Sequence, residues 1–488
     1  MTDADHRPVL VGIGVATRRE DDPSRALEPM DLMLEAVQAA GADTGSPAAL
    51  RGVQSVSVPR GRWTYANPAG EIARSVGAPQ AQSVLSTVGV LQQTLIGNAC
   101  ERIARGETHT ELVAGADAGY RLLRAQLAGV AAPERTQTDA PDCLLSPKDE
   151  LRHPVERRSG LAMPVGLYAI LESAWRASNG WSVAEHRDRI ARLWAGLARV
   201  AADNPHAWNR RAPDAATIRD ASAGNPLQAF PYTRLHCSTW NVDQAGALLL
   251  CSAARAAELG IPRHRWVWAL ASTESNHMVA VSARARLEDC PGARLAGRAA
   301  IEAAGLTADA LDLVDLYSCF PFAVQSYAAA LGLPPDRDLT VTGGMPFAGG
   351  PYNNYVLQAT ARAAERLRAG HGRTALVSSV SGVVTKQGFG VWAATAPAQG
   401  FHRADLSDAV ARGTATREVI DAWTGPARVA GFTVLHGRGQ APRGVALFDT
   451  PGGTRAMATT DDPALVDRMQ AEEFVGRTLQ VRGDTIVA

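Results

Sequence analysis

Two groupings in this 488-residue sequence carry side chains that can do chemistry. The first is Gly343-Gly344-Met345-Pro346-Phe347-Ala348-Gly349-Gly350-Pro351, which runs on into Tyr352-Asn353-Asn354-Tyr355. Glycine lets backbone approach a ligand or turn through positive φ, and asparagine caps a helix through its side-chain oxygen. Such a turn can hold a ligand against a helix N-terminus, and a tight crossover turn without a ligand is the alternative. The second is Glu274-Ser275-Asn276-His277-Met278. A histidine three residues from a carboxylate can act as acid/base machinery, while a loop histidine packed on the surface satisfies the same spacing. Cys100 falls among apolar residues at helical spacing and reads as an inert core thiol.

The elements that must position these groups alternate between strand and helix. Pro8 to Val15 is a continuous apolar run, as for a strand buried on both faces. A helix over Met30–Ala40 follows, stopped by Gly41, and Val53–Val58 alternates like a strand. Leu91, Leu95, Ala99 and Ile103 share one helical face that ends at Gly106, and Glu111–Asp117 is the next strand. Residues 121–230 break the rhythm with a loop rich in charge and proline and at least two long helices. One of these starts at the capping box Ser182-Val-Ala-Glu185 and runs to about Ala201. The alternation resumes with Val242–Cys251, Arg265–Ser272, a helix over Arg294–Ala304 and a strand ending at Tyr317. Pro321 suits the first turn of a helix. Val356, Thr360, Ala363 and Leu367 form a helical face, and Thr374–Ser381 is a strand. From about Asp405 short strands (Ala427–Leu435, Gly444–Phe448, Thr478–Arg482) and a helix begun by Asp462-Pro463 predict a small β-barrel.

Composition bounds the function. The formal charge is zero, lysines are few and arginines scattered, so no nucleic-acid footprint is expected. No apolar run reaches membrane-spanning length, and the polar start lacks a signal core. Six widely spaced cysteines suggest neither a zinc site nor a disulfide framework. A cytoplasmic, multi-domain α/β protein without metal or bound cofactor is expected.

Residues 311–324, ending Leu-Tyr317-Ser318-Cys319-Phe-Pro-Phe, resemble the thiolase strand that ends in Asn-Glu-Ala-Phe. The Gly343–Pro351 run resembles the thiolase Gly-Gly-x-x-x-x-Gly-His-Pro turn. The whole chain is similar to the thiolase-like proteins of type 1, often labelled acetyl-CoA acetyltransferases. The resemblance implies a duplicated five-layer αβαβα thiolase fold with an inserted loop domain and an OB-like C-terminal barrel. The expected division is 1–120 plus 231–260 for the first half, 121–230 for the insert, 261–404 for the second half and 405–488 for the barrel. It further implies a coenzyme A thioester as substrate and a homodimer, although the extra domain could cover the dimer surface.

A thiolase needs a nucleophilic cysteine, a histidine to deprotonate it, a second cysteine and oxyanion donors. Here the nucleophile position falls at or next to Gly89, the histidine becomes Gly350, the second cysteine falls in Ser378–Gly382, and the asparagine becomes Tyr317. Thiolysis through an acyl-cysteine is therefore not expected. The resemblance groups Tyr317, Cys319, Tyr352 and His277 as candidate catalytic residues. Gly89, Ser318, Met278, Gly349, Gly350, Asn353, Ser381 and Lys386 are the candidates for binding substrate. Cys319 is a candidate relocated nucleophile or a small buried residue. Tyr317 and Tyr352 could act as acid/base if a nearby lysine lowered a phenol pKa, or could simply fill space. Three functions follow: an acyl-CoA enzyme without the thiolase cysteine, a tyrosine-based aldolase-type lyase on a β-hydroxyacyl-CoA, or a non-catalytic acyl-CoA-binding or scaffold protein.

Overall fold

The computed structural model describes residues 6–334 and 336–487. An 11-stranded sheet runs from edge to edge through Leu313–Asp315, Thr374–Ser381, Lys386–Ala393, Val267–Ser275, Pro8–Thr17, Asp243–Ser252, Thr110–Ala118, Ser55–Pro59, Gln82–Ser86 and Cys143–Leu145. The remaining strand, His402–Asp405, pairs with Val267–Ser275. Among the described residues the two halves of this sheet join where Val9 and Leu10 meet Trp268 and Val267. Pro8–Thr17 is buried along almost its whole length, which explains its unbroken apolar sequence.

Helices Gln92–Ala104 and Tyr355–Arg368 each pack on strands from both halves and form the central layer. Pro29–Asp43 covers the first half and Pro291–Ala303 the second, which completes the five layers. The central helices are apolar on more than one side because they are enclosed between sheets.

The insert contributes helices Pro164–Ser178 and Val183–Ala202. Ser182 and Glu185 close the capping box that the sequence predicts. The insert's extended loop is pinned by Arg135, whose guanidinium is bonded by Glu28, Asp31 and Glu71. Cys143–Leu145 then lies parallel to Gln82–Ser86 and covers its outer edge.

The C-terminal strands Trp423–Leu435, Arg443–Asp449, Arg455–Thr460, Thr485–Val487 and Thr478–Gly483 close into a five-stranded barrel. Helix Pro463–Ala471 starts at Asp462, whose side chain caps Ala464 N. The insert also reaches this barrel, because Ala229 of the short strand Leu227–Ala229 pairs with Leu435. No described helix is long and apolar enough to cross a membrane.

Candidate functional site

The thiolase-like turns are present, but the positions that would carry thiolase chemistry are filled by other groups. Gly350 donates its N–H to Thr239 O at 2.9 Å, and a Cβ on Gly350 would stand 2.1 Å from Ser238 Oγ. Thr239 N reaches Met345 O, and Thr239 Oγ1 donates to Pro346 O at 2.7 Å. Ser238 N donates to Cys319 O. The segment Ser238-Thr239 is thus stitched across the glycine turn where an imidazole would have to sit. Its sequence carries no catalytic signature, and only the backbone pairing reveals the role.

Gly89 has φ of +103° and lies against Pro147, 2.9 Å from where a Cβ would be. A side chain there would be both strained and crowded. The helix expected to begin at this position starts at Gln92, with Leu91 as its N-cap residue. Gln92 Oε1 accepts from Val356 N at 2.7 Å, tying the two central helices together.

The second turn is built around buried Asp315. Its carboxylate accepts from Thr340 Oγ1, Val341 N, both the N–H and hydroxyl of Thr342, and Tyr355 Oη. Ser318 Oγ accepts from Met345 N at 2.9 Å. Ser318 therefore helps to hold the turn. Asn353 has φ of +55° and donates to Arg60 O. Asn354 takes the N-cap place but makes no capping bond, contrary to the expected role of an asparagine there.

Tyr317, Cys319 and Tyr352 come together, but in a packed environment. The Cys319 thiol is pushed up to about 12 by burial, and Tyr168 donates a hydrogen bond to its sulfur. Burial also raises the Tyr317 phenol, whose ring stacks edge-on against Tyr355 at 5.6 Å. The lowered phenol pKa that acid/base use would require is not found at Tyr317: desolvation outweighs the hydrogen bond from Gln92. Tyr352 is half-buried, within electrostatic reach of Tyr317 and Arg152.

Of the two readings of this loop, the one that pairs His277 with Glu274 is not realised. Glu274 accepts from Thr94 Oγ1 at 2.6 Å and from Asn276, and it is ion-paired with Arg403 at 2.8 Å. His277 instead lines a cavity of about 780 Å³ together with Lys386. This cavity opens between the helix Gln92–Ala104, the insert loop at Leu144–Asp149 and the short helix Ser407–Gly413. Lys386 Nζ donates to Gly89 O, and burial lowers the amine's pKa. Of the residues singled out in the sequence, His277 and Lys386 face this space, while the tyrosines and Cys319 do not line it.

Ser381 pairs with Lys386 across a hairpin whose tip is strained. Val383 and Val384 both have φ of +55°, a region β-branched residues rarely enter. Arg284 holds this tip by donating to Gly382 O at 3.2 Å and Val383 O at 2.6 Å. Met278 packs beneath it, with its sulfur 3.0 Å from Thr385 Oγ1. Arg455 of the barrel, paired with Asp449, donates in turn to Arg284 O at 2.9 Å.

Four arginines of the insert, Arg157, Arg158, Arg210 and Arg211, lie at the surface. Arg158 pairs with Asp421 and Arg157 with Glu150. Arg210 donates to Ala202 O, and Arg211 is exposed. His236 is a structural hydrogen-bonding group: its Nδ1 is 2.9 Å from Thr233 Oγ1. Among the described residues no cluster of three or more His, Cys, Asp or Glu side chains is placed to hold a metal ion.

Two half-sheets on either side of a central helix pair, with a further helix outside each, have the five-layer arrangement of a thiolase fold. Human mitochondrial 3-ketoacyl-CoA thiolase in complex with CoA matches 80% of this chain and 99% of its own, at 16% identity and a TM-score of 0.56. An Ltp2-ChsH2(DUF35) aldolase structure matches 80% of this chain and 99% of its own, at 17% identity and a TM-score of 0.60. At those identities the likeness is one of fold. A monomeric SCP2-thiolase-like protein type 1 from Mycobacterium smegmatis matches 99% of both chains, at 26% identity and a TM-score of 0.83. Residues 405–485 match the family described as the thiolase-like protein type 1 additional C-terminal domain. The full-length structural match and the match of the C-terminal domain together make this chain similar to the thiolase-like proteins of type 1 that carry this domain.

Proposed function

We propose that this protein handles acyl-CoA thioesters, forming or breaking an acyl or C–C bond in lipid metabolism without an acyl-cysteine intermediate. The observation that carries this reading is the cavity beside Gly89. It opens next to the place where a thiolase nucleophile would sit, while Gly89 and Gly350 leave no room for the thiolase cysteine and histidine. The complex of the human thiolase with CoA supports binding of the CoA moiety by this fold. The raised Tyr317 phenol counts against the tyrosine-based lyase. The filled glycine turn favours, as a second reading, an acyl-CoA-binding protein without turnover.

The resemblance led to a homodimer. The covered edge of Gln82–Ser86 and the monomeric Mycobacterium smegmatis relative support a monomer instead. Titration of intrinsic tryptophan fluorescence with acetyl-CoA and octanoyl-CoA tests the proposal. Saturable quenching by an acyl-CoA that exceeds quenching by free CoA is expected. Absence of binding to either thioester would remove the reading.

A further inference from the structure

Of the 49 lysine and arginine residues in this chain only two are lysines, Lys148 and Lys386. Both line the 780 Å³ cavity. Arginine serves everywhere else that a cation is needed, including buried positions such as Arg176, Arg284 and Arg455. The property that separates the two side chains is that an amine can lose its proton in water's accessible pH range, whereas a guanidinium cannot.

Lys386 is placed to use that property. It is 4% exposed. Among the described residues its one hydrogen bond goes to a neutral carbonyl, Gly89 O, which leaves the other donor positions of the amine unpaired. Among the described residues no carboxylate lies within ion-pair distance of it. The acidic groups that act on it, Asp149, Glu274 and Asp405, do so at longer range, and burial outweighs them. Glu274 is already engaged by Arg403. A desolvated lysine without a counter-ion is the form in which the side chain serves as a nucleophile.

We propose that Lys386 is an amine nucleophile that captures an aldehyde or ketone in this cavity. The Nζ lone pair bonds to the carbonyl carbon while the C=O π pair moves to oxygen. A proton passes from nitrogen to that oxygen, giving a carbinolamine. Loss of water then forms the C=N bond, and both hydrogens of that water originate on the amine. His277, on the same cavity wall, can relay the proton between nitrogen and oxygen. No thioester is required, so this inference and the acyl-CoA reading fail separately.

The test is reductive trapping of the intact, full-length protein with propanal and sodium cyanoborohydride at pH 7.0, followed by peptide mapping. Lys148 is the internal reference, being exposed on the same cavity. The Lys386 peptide is expected to gain a propyl group at least tenfold faster than the Lys148 peptide. In Lys386→Arg the Lys148 rate is expected to be unchanged. Labelling of Lys386 at a rate equal to or below that of Lys148, or only after unfolding in guanidinium chloride, would overturn the proposal. The decisive rates come from the unsubstituted protein, so a folding defect in the variant does not affect them.

Discussion

Tyr355 Oη stands 2.8 Å from Asp315 Oδ1, joining the first residue of a central helix to the end of a strand in the second half. The glycine turn is folded between them, with Thr340 and Thr342 bonded to the same carboxylate. Tyr355→Phe removes one donor from a buried, ionisable acceptor and is expected to cost about 1–3 kcal/mol. Asp315→Ala strands several donors at once and is expected to cost more than the tyrosine change. Urea denaturation of both variants checks the order.

The filling of the glycine turn by Ser238 leads to a paired prediction. Gly350→Ala places a methyl group 2.1 Å from Ser238 Oγ and is expected to destabilise by about 1–3 kcal/mol through overpacking. Ser238→Gly in the same chain is expected to recover most of that loss. Failure of the second change to rescue the first would mean that Met345, 3.0 Å away, is the obstacle.

The barrel and the strained hairpin are linked through Arg455 and Arg284. Arg455→Met removes a buried cation that satisfies Arg284 O and Asp449. A cost of roughly 3 kcal/mol is expected from the stranded partners. Faster hydrogen exchange confined at first to residues 382–385 is the local readout, since the hairpin tip depends on the position of Arg284.

His236 supplies a pH dependence. Burial lowers its imidazole to about 3, so it is neutral in the fold and titrates near 6.5 when unfolded. Below about 6.5 the unfolded chain takes up a proton that the folded chain does not. The contribution of this group is therefore fully present above 6.5 and lost as the pH falls towards 3, by about 1.4 kcal/mol per pH unit. Denaturation at several pH values between 4.5 and 7.5 is expected to show a shallower acid slope in His236→Asn than in the natural protein.

Much of the scaffold was legible in the sequence because local signals agreed with the fold. The apolar run at Pro8, the capping box at Ser182 and the Asp462-Pro463 start each became the predicted element. The absence of thiolase residues at Gly89 and Gly350 could also be read directly. What could not be read was long-range placement. Nothing local in Ser238-Thr239 signals that it crosses a turn more than 100 residues away. Glu274 and His277 are neighbours in sequence, yet Arg403 and Thr94, from distant segments, take the carboxylate. Lys386 was recognised as a pocket residue, but its partner, Gly89 O, depends on how a hairpin in one half meets a turn in the other.

The central claim is that acyl-CoA is bound without an acyl-cysteine. It is tested most directly by incubating the full-length protein with a panel of acyl-CoAs and mapping every peptide by mass spectrometry, alongside equilibrium binding. The account predicts saturable binding of at least one acyl-CoA with no acyl group on Cys319, on the other five cysteines, or on Ser86 or Ser381. An acyl adduct on any cysteine that forms and turns over would contradict it.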